Sequence, residues 1–165
     1  KREERRGHFT RRYGVEQGFR RFRRIAATAM INDAISFVLV CLVTRHTLRL
    51  ELPQVLTITA GALLALLGVS VKLWAAARLG SKAYYWHNFF APAAASAPAR
   101  SGPYRFVKNP MYTLGYLQTY GIALVAGSLP GLGAAGFDQA AILAFYRCVE
   151  KPHFEKLTGA ASPCA

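Results

Sequence analysis

"VLTITAGALLALLGVSVKLWAAA", residues 55–77, is the stretch that decides the fold class. A helix rises ~1.5 Å per residue, so this run reaches across a hydrocarbon core of ~30 Å. Only Thr, Ser and Lys72 interrupt its apolar side chains. Lys72 stands near the end, where its long stem lets the ammonium snorkel to the nearer interface. A charge at a bilayer centre costs about 2.5–3.5 kcal/mol, so the placing of charges maps the membrane onto the chain.

Outward from that run, three more apolar stretches appear, over 25–44, 110–128 and 132–146. The first carries Asn32 and Asp33, which should face other helices or water rather than lipid. The last is short and carries Asp138 and Gln139, so it tilts or hides behind the others. Between the spans lie a polar turn over 45–54, a long loop over 78–108 and a tight turn at "SLPGLG". The fold class is therefore all-α: a polytopic membrane protein of about four transmembrane helices. Its parts are a basic amphipathic segment (1–24), the membrane domain (25–159) and a tail (160–165).

The 165 residues are 53% hydrophobic, yet Lys and Arg outnumber Asp and Glu by 21 to 8, for a net charge of +13. Residues 1–24 concentrate that excess, with Phe alternating with Arg in "FRRFRRIAATAM", as a segment lying on anionic lipid does. No nucleic-acid recognition fold follows it, so nucleic acid is not an expected partner. No cleavable signal peptide is visible, because polar residues precede the first apolar run. Cys41, Cys148 and Cys164 are far apart and odd in number, which argues against a disulfide framework and a zinc cluster. Basic residues crowd 1–24 and 78–108 and are sparse in the 45–54 and 127–131 turns. The positive-inside rule then puts both termini and the long loop in the cytosol, a parity that four spans satisfy.

Three segments on that cytosolic face carry chemistry. "KNPMY" (108–112) reads as a helix start, with Asn109 capping and Pro110 in the first turn. Such a terminus is either a plain cap or a small anion site built from free N–H groups and the helix dipole. Glu150, flanked by Arg147 and Lys151, is either a surface ion pair or the partner of a ligand ammonium. If it lies beside the start of the third span, the two grip both ends of an amino-acid zwitterion, as in a methionine-like moiety. "KAYYWHNFF" (82–90) is either an interfacial aromatic belt or a box whose ring faces attract a methylated cationic amine. His87 within it is either a hydrogen-bonded structural residue or a proton acceptor.

These motifs together resemble the integral-membrane methyltransferases, the phospholipid and isoprenylcysteine group, over roughly residues 55–159. The resemblance rests on the Gly-x-Tyr turn at 102–104, on "KNPMY", and on "VEKPHFEKLTG" (149–159), and it leans towards phosphatidylethanolamine N-methyltransferases. Asn109 stands where many members have His, and Lys151 where a second Glu is frequent. The resemblance implies S-adenosylmethionine held by Gly102, Tyr104, Asn109, Pro110, Met111, Tyr112 and Glu150. Tyr104 would pack near the adenosine, 109–112 would enclose the methionine end, and Glu150 would meet the ammonium. It implies N-methylation of a phospholipid amine at the cytosolic face, with Tyr85, Trp86 and Arg147 on the substrate, His87 or Glu150 as proton acceptor, and no metal. The alternative acceptor is another membrane-presented nucleophile, an isoprenylcysteine carboxylate or a thiol. "GALLALLG" (61–68) offers a small-residue face on which two copies could associate.

Overall fold

The computed structural model describes residues 8–87, 90 and 101–157. The expected linker at 91–99, Asn88 and Phe89 of the aromatic segment, the first seven residues and the tail at 160–165 lie outside the described residues. Among the described residues every regular element is helical and there is no strand. α1 (His8–Tyr13) and α2 (Val15–Val43) are separated at Gly14, whose φ of 72° lies in the left-handed region. α2 runs unbroken from its arginine-rich first turns into the apolar span, since neither Pro nor Gly intervenes after Gly18.

α3 (Gln54–Tyr84) contains the 55–77 run and extends beyond it. Its break comes at Gly80, with φ 76° and ψ 159°, which only glycine adopts readily. The expected loop at 78–108 therefore begins as helix, kinks at Gly80 and leaves the helix after Tyr84. The Val15–Val43 helix and the Gln54–Gly80 portion of α3 are each long and apolar enough to cross a membrane. Their large apolar side chains, among them Ile25, Ile31, Leu39, Val55, Leu66 and Leu73, point outward. An outward apolar surface of that extent suits lipid rather than water.

The two remaining spans differ from expectation. α4 (Leu117–Ala126) has 10 residues, about 15 Å of helix, preceded by a 3₁₀ turn at Leu114–Tyr116. The helix expected to start at Pro110 does not: residues 110–113 form turns. α5 (Leu129–Phe145) has 17 residues and starts inside "SLPGLG", because Ser128 caps it by accepting from the Gly131 N–H at 2.8 Å. It continues through a π turn at Tyr146–Glu150 into α6 (Lys151–Leu157). Among the described residues, two helices of spanning length with two shorter ones packed against them stand where about four spans were expected, the last of them short.

α3 and α4 approach closely through glycine. A Cβ on Gly61 would stand 2.8 Å from the Gly121 carbonyl oxygen, while one on Gly68 or Gly121 would run into the backbone of Gln118 or Ala65. The small-residue face of "GALLALLG" is thus covered within the chain, so a second copy would have to use another face. At one end of the bundle the two short connections are joined. The Leu48 N–H donates to the Gly127 carbonyl at 2.8 Å, and the Thr44 and Ser128 hydroxyls are 2.6 Å apart. The chemistry-bearing segments gather at the opposite end.

Candidate active site

Around Pro110 the chain coils irregularly. The Tyr112 and Thr113 N–H groups donate to the Asn109 carbonyl at 3.2 and 3.1 Å, and the Gly115 N–H donates to the Pro110 carbonyl at 2.8 Å. Pro110 is fully buried and Met111 is 8% exposed, so the turn is a packed part of the structure. Gln139 on α5 secures it, its amide donating to the Tyr112 and Thr113 carbonyls at 3.3 and 3.4 Å. The Tyr120 hydroxyl donates to Gln139 Oε1 at 2.9 Å and fixes the amide's orientation. An anion site made from a regular helix terminus, with Asn109 as its side-chain cap, is not what forms. The Asn109 amide nitrogen is instead buried with no hydrogen-bond partner among the described residues.

Glu150 comes to this turn. The Tyr112 hydroxyl donates to Glu150 Oε2 at 3.1 Å, across 38 residues of sequence. The π turn at Tyr146–Glu150 adds a residue to the helical round and so turns Glu150 inward. Lys151 pairs with Glu155 at 3.6 Å, and Arg147 is exposed with no ion pair among the described residues. Glu150 is therefore no surface ion pair. Burial raises its carboxyl above the ordinary value, while hydrogen bonds from Tyr112 and Trp86 partly hold it down. Tyr104 is pushed up to about 12 by burial and by the Glu150 charge, so its hydroxyl stays protonated and can donate. Tyr104 belongs to the 3₁₀ turn at Gly102–Arg105, whose Gly102 has φ 63°. A side chain at Gly102 would meet Arg78 and Trp74 at 3.0 and 3.2 Å.

Glu150, Tyr112, Met111 and Trp86 line one wall of a cavity of ≈ 270 Å³. Trp86, at φ 55°, packs edge-on to Phe145 with ring centroids 5.7 Å apart. The neighbouring aromatics turn elsewhere. His87 stands edge-on to Phe19 at 4.5 Å, and Tyr85 faces Arg23 at 6.0 Å. Phe19, 2% exposed, also meets Phe90 at 5.7 Å, so the Phe residues of the basic segment dock on the aromatic one. Among the described residues neither His87 nor Tyr85 lines the cavity, and the His87 Nε2 is buried without a hydrogen-bond partner. The structure thus brings Trp86, Met111, Tyr112 and Glu150 together, with Tyr104 close enough to feel the Glu150 charge. It leaves His87, Tyr85 and Arg147 outside that group.

Sequence reasoning missed Gln139 as a site residue, and with it Asp33, Lys72 and Asp138, which line the same cavity, Lys72 and Asp138 half-buried and Asp33 exposed. Lys72 does not snorkel away: its Nζ lies 5.7 Å over the Tyr116 ring. The available signal was the cost of placing ionisable and amide side chains in apolar helices, which marks them as interior-facing.

A membrane-embedded helical bundle with an inward carboxylate beside a buried turn defines the class, and the comparisons give the family. The phospholipid methyltransferase family model matches residues 56–161, and the chain belongs to that family. It is 34% identical over 137 residues to the phosphatidylethanolamine N-methyltransferase of Aspergillus flavus, covering 82% of this chain and 14% of that protein. It is 29% identical over 164 residues to the enzyme of the same name from Malassezia globosa, covering 93% of this chain and 16% of that protein. The enzyme from Eremothecium gossypii is 29% identical over 149 residues, 86% of this chain and 18% of its own length. The chain thus spans less than a fifth of the length of these relatives. No solved structure matches it.

Proposed function

We propose that this chain is a membrane methyltransferase that moves a methyl group from S-adenosylmethionine to the amine of phosphatidylethanolamine or its partly methylated forms. The observation that carries this reading is the 3.1 Å contact between Tyr112 and Glu150, which joins two distant family motifs at the wall of one cavity. The residues fit the donor. The Glu150 carboxylate is half-buried and lacks a cationic partner among the described residues, as a site for an amino-acid ammonium requires. The orphaned Asn109 amide nitrogen supplies a buried donor for a carboxylate at the same turn. Tyr112 and Trp86 offer ring faces to a sulfonium cation.

When bound, S-adenosylmethionine supplies the methyl group on a positively charged sulfur. This chain's part is then positional: Glu150 and the 109–112 turn fix the donor, and the cavity excludes bulk water from the line of transfer. The excess of basic residues in the 1–24 and 78–108 segments supports a cytosolic side for the site. The 1–24 segment holds anionic lipid there, and the acceptor lipid enters between helices. The experiment is direct: purified chain in vesicles of phosphatidylethanolamine, given methyl-labelled donor, transfers label to mono- and dimethylated lipid. Label absent from lipid while a thiol or prenyl-cysteine acceptor is methylated overturns the proposed substrate.

A further inference from the structure

We propose that Asp33, Asp138 and Lys72 form the head-group site for the acceptor lipid, the two carboxylates binding its ammonium and taking its proton while Lys72 binds its phosphate. This deepens the function proposed above and rests on it. The three residues come from three helices, α2, α5 and α3, and converge on the cavity that Glu150 lines. Asp33 interacts electrostatically with Lys72, Asp138 and Tyr116. Among the described residues, however, no ion pair within 4.0 Å and no side-chain hydrogen bond neutralises any of the three. Ionisable side chains inside apolar helices are costly and ordinarily pair with one another or line a pathway. Charges of both signs that share one cavity without pairing match a ligand that itself carries both signs.

Phosphoethanolamine is such a ligand, with one phosphate and one ammonium a short chain apart. Two carboxylates beside a lysine also disfavour a metal, and no group of three metal-ligating side chains occurs among the described residues. Asp138 precedes Glu150 by about three helical turns on the same helical run, which leaves room between the two carboxylates for donor and acceptor in line. The step balances. An acceptor ammonium gives one proton to the aspartate pair, and the freed nitrogen lone pair forms the new N–CH₃ bond. The S–CH₃ bond breaks with its electrons staying on sulfur, leaving a neutral thioether and a methylated ammonium. Tyr84, which also lines the cavity, is an aromatic neighbour for that cation.

The test uses Asp33→Asn, Asp138→Asn and Lys72→Met in the full chain, with S-adenosylhomocysteine titration, steady-state kinetics on phosphatidylethanolamine, and binding of dihexanoyl phosphatidylethanolamine followed by tryptophan fluorescence. All three variants should bind S-adenosylhomocysteine as wild type does. The aspartate variants should lose about 10²-fold or more in kcat/KM, the scale of a lost proton acceptor. Lys72→Met should raise KM for lipid about ten-fold with a smaller change in kcat, the scale of a lost charged hydrogen bond. All three should lose the fluorescence change. Wild-type kinetics and lipid binding in the variants would overturn the proposal, as would loss of S-adenosylhomocysteine binding, which would make the charges structural. If wild-type protein itself neither binds S-adenosylhomocysteine nor methylates lipid, the function proposed above fails instead.

Discussion

At Glu150 burial and hydrogen bonding pull the carboxyl in opposite directions, and burial wins. Its folded-state value lies above the unfolded one, so the ligand-free protein holds the proton more tightly than the unfolded chain. Stability contributed by this group is present below the unfolded value and is lost as pH climbs through the raised folded one. A bound ammonium reverses the preference, because only the carboxylate pairs with it. The affinity for S-adenosylhomocysteine should therefore fall as pH drops through the raised Glu150 value, above the ordinary 4.5. Glu150→Gln should be flat across the same window in a pH series of titrations. Tyr112→Phe removes the hydroxyl that orients Glu150, and should weaken S-adenosylhomocysteine about ten-fold while leaving the thermal midpoint near wild type. At this scale the sequence was informative where the chemistry was local. Glu150, Tyr112 and Met111 stand out by their neighbours, whereas the aim of His87 depends on Phe19, 68 positions away.

Elements were legible where a single helix could satisfy itself. The 55–77 run predicts its own helix because every backbone group bonds within it, and α3 contains it whole. The start of the third span was not legible. The 110–113 turn exists because Gln139, on another helix, takes its carbonyls, and no local signal carries that. The α3–α4 contact gives a sharp prediction. Gly121→Leu should destabilise the bundle by about 1–3 kcal/mol or more, since a side chain there meets the Ala65 backbone and cannot be accommodated by a rotamer change. Gly133→Ala, in α5 with nothing within 4 Å of the added methyl, should be neutral or stabilising by about 0.5–1 kcal/mol. Thermal unfolding in detergent separates the two.

For the whole molecule, the proposed sidedness rests on the charge distribution, and the fold separates the two ends that it distinguishes. The two short connections are hydrogen-bonded to each other at one end, and the Glu150 turn lies at the other. Membrane-impermeant maleimide applied to intact cells should label Arg49→Cys before permeabilisation and the exposed Cys148 only after it. What composition could not supply was the grouping of Asp33, Lys72 and Asp138, because three helices must assemble before one cavity exists. The claim on which all of this depends is that the carboxylate after the last membrane helix holds the methyl donor. Isothermal titration of S-adenosylhomocysteine into wild type and Glu150→Gln measures it. Saturable binding by the wild type, weakened at least about ten-fold in the variant, is the predicted result. Equal affinity in the two proteins would contradict it.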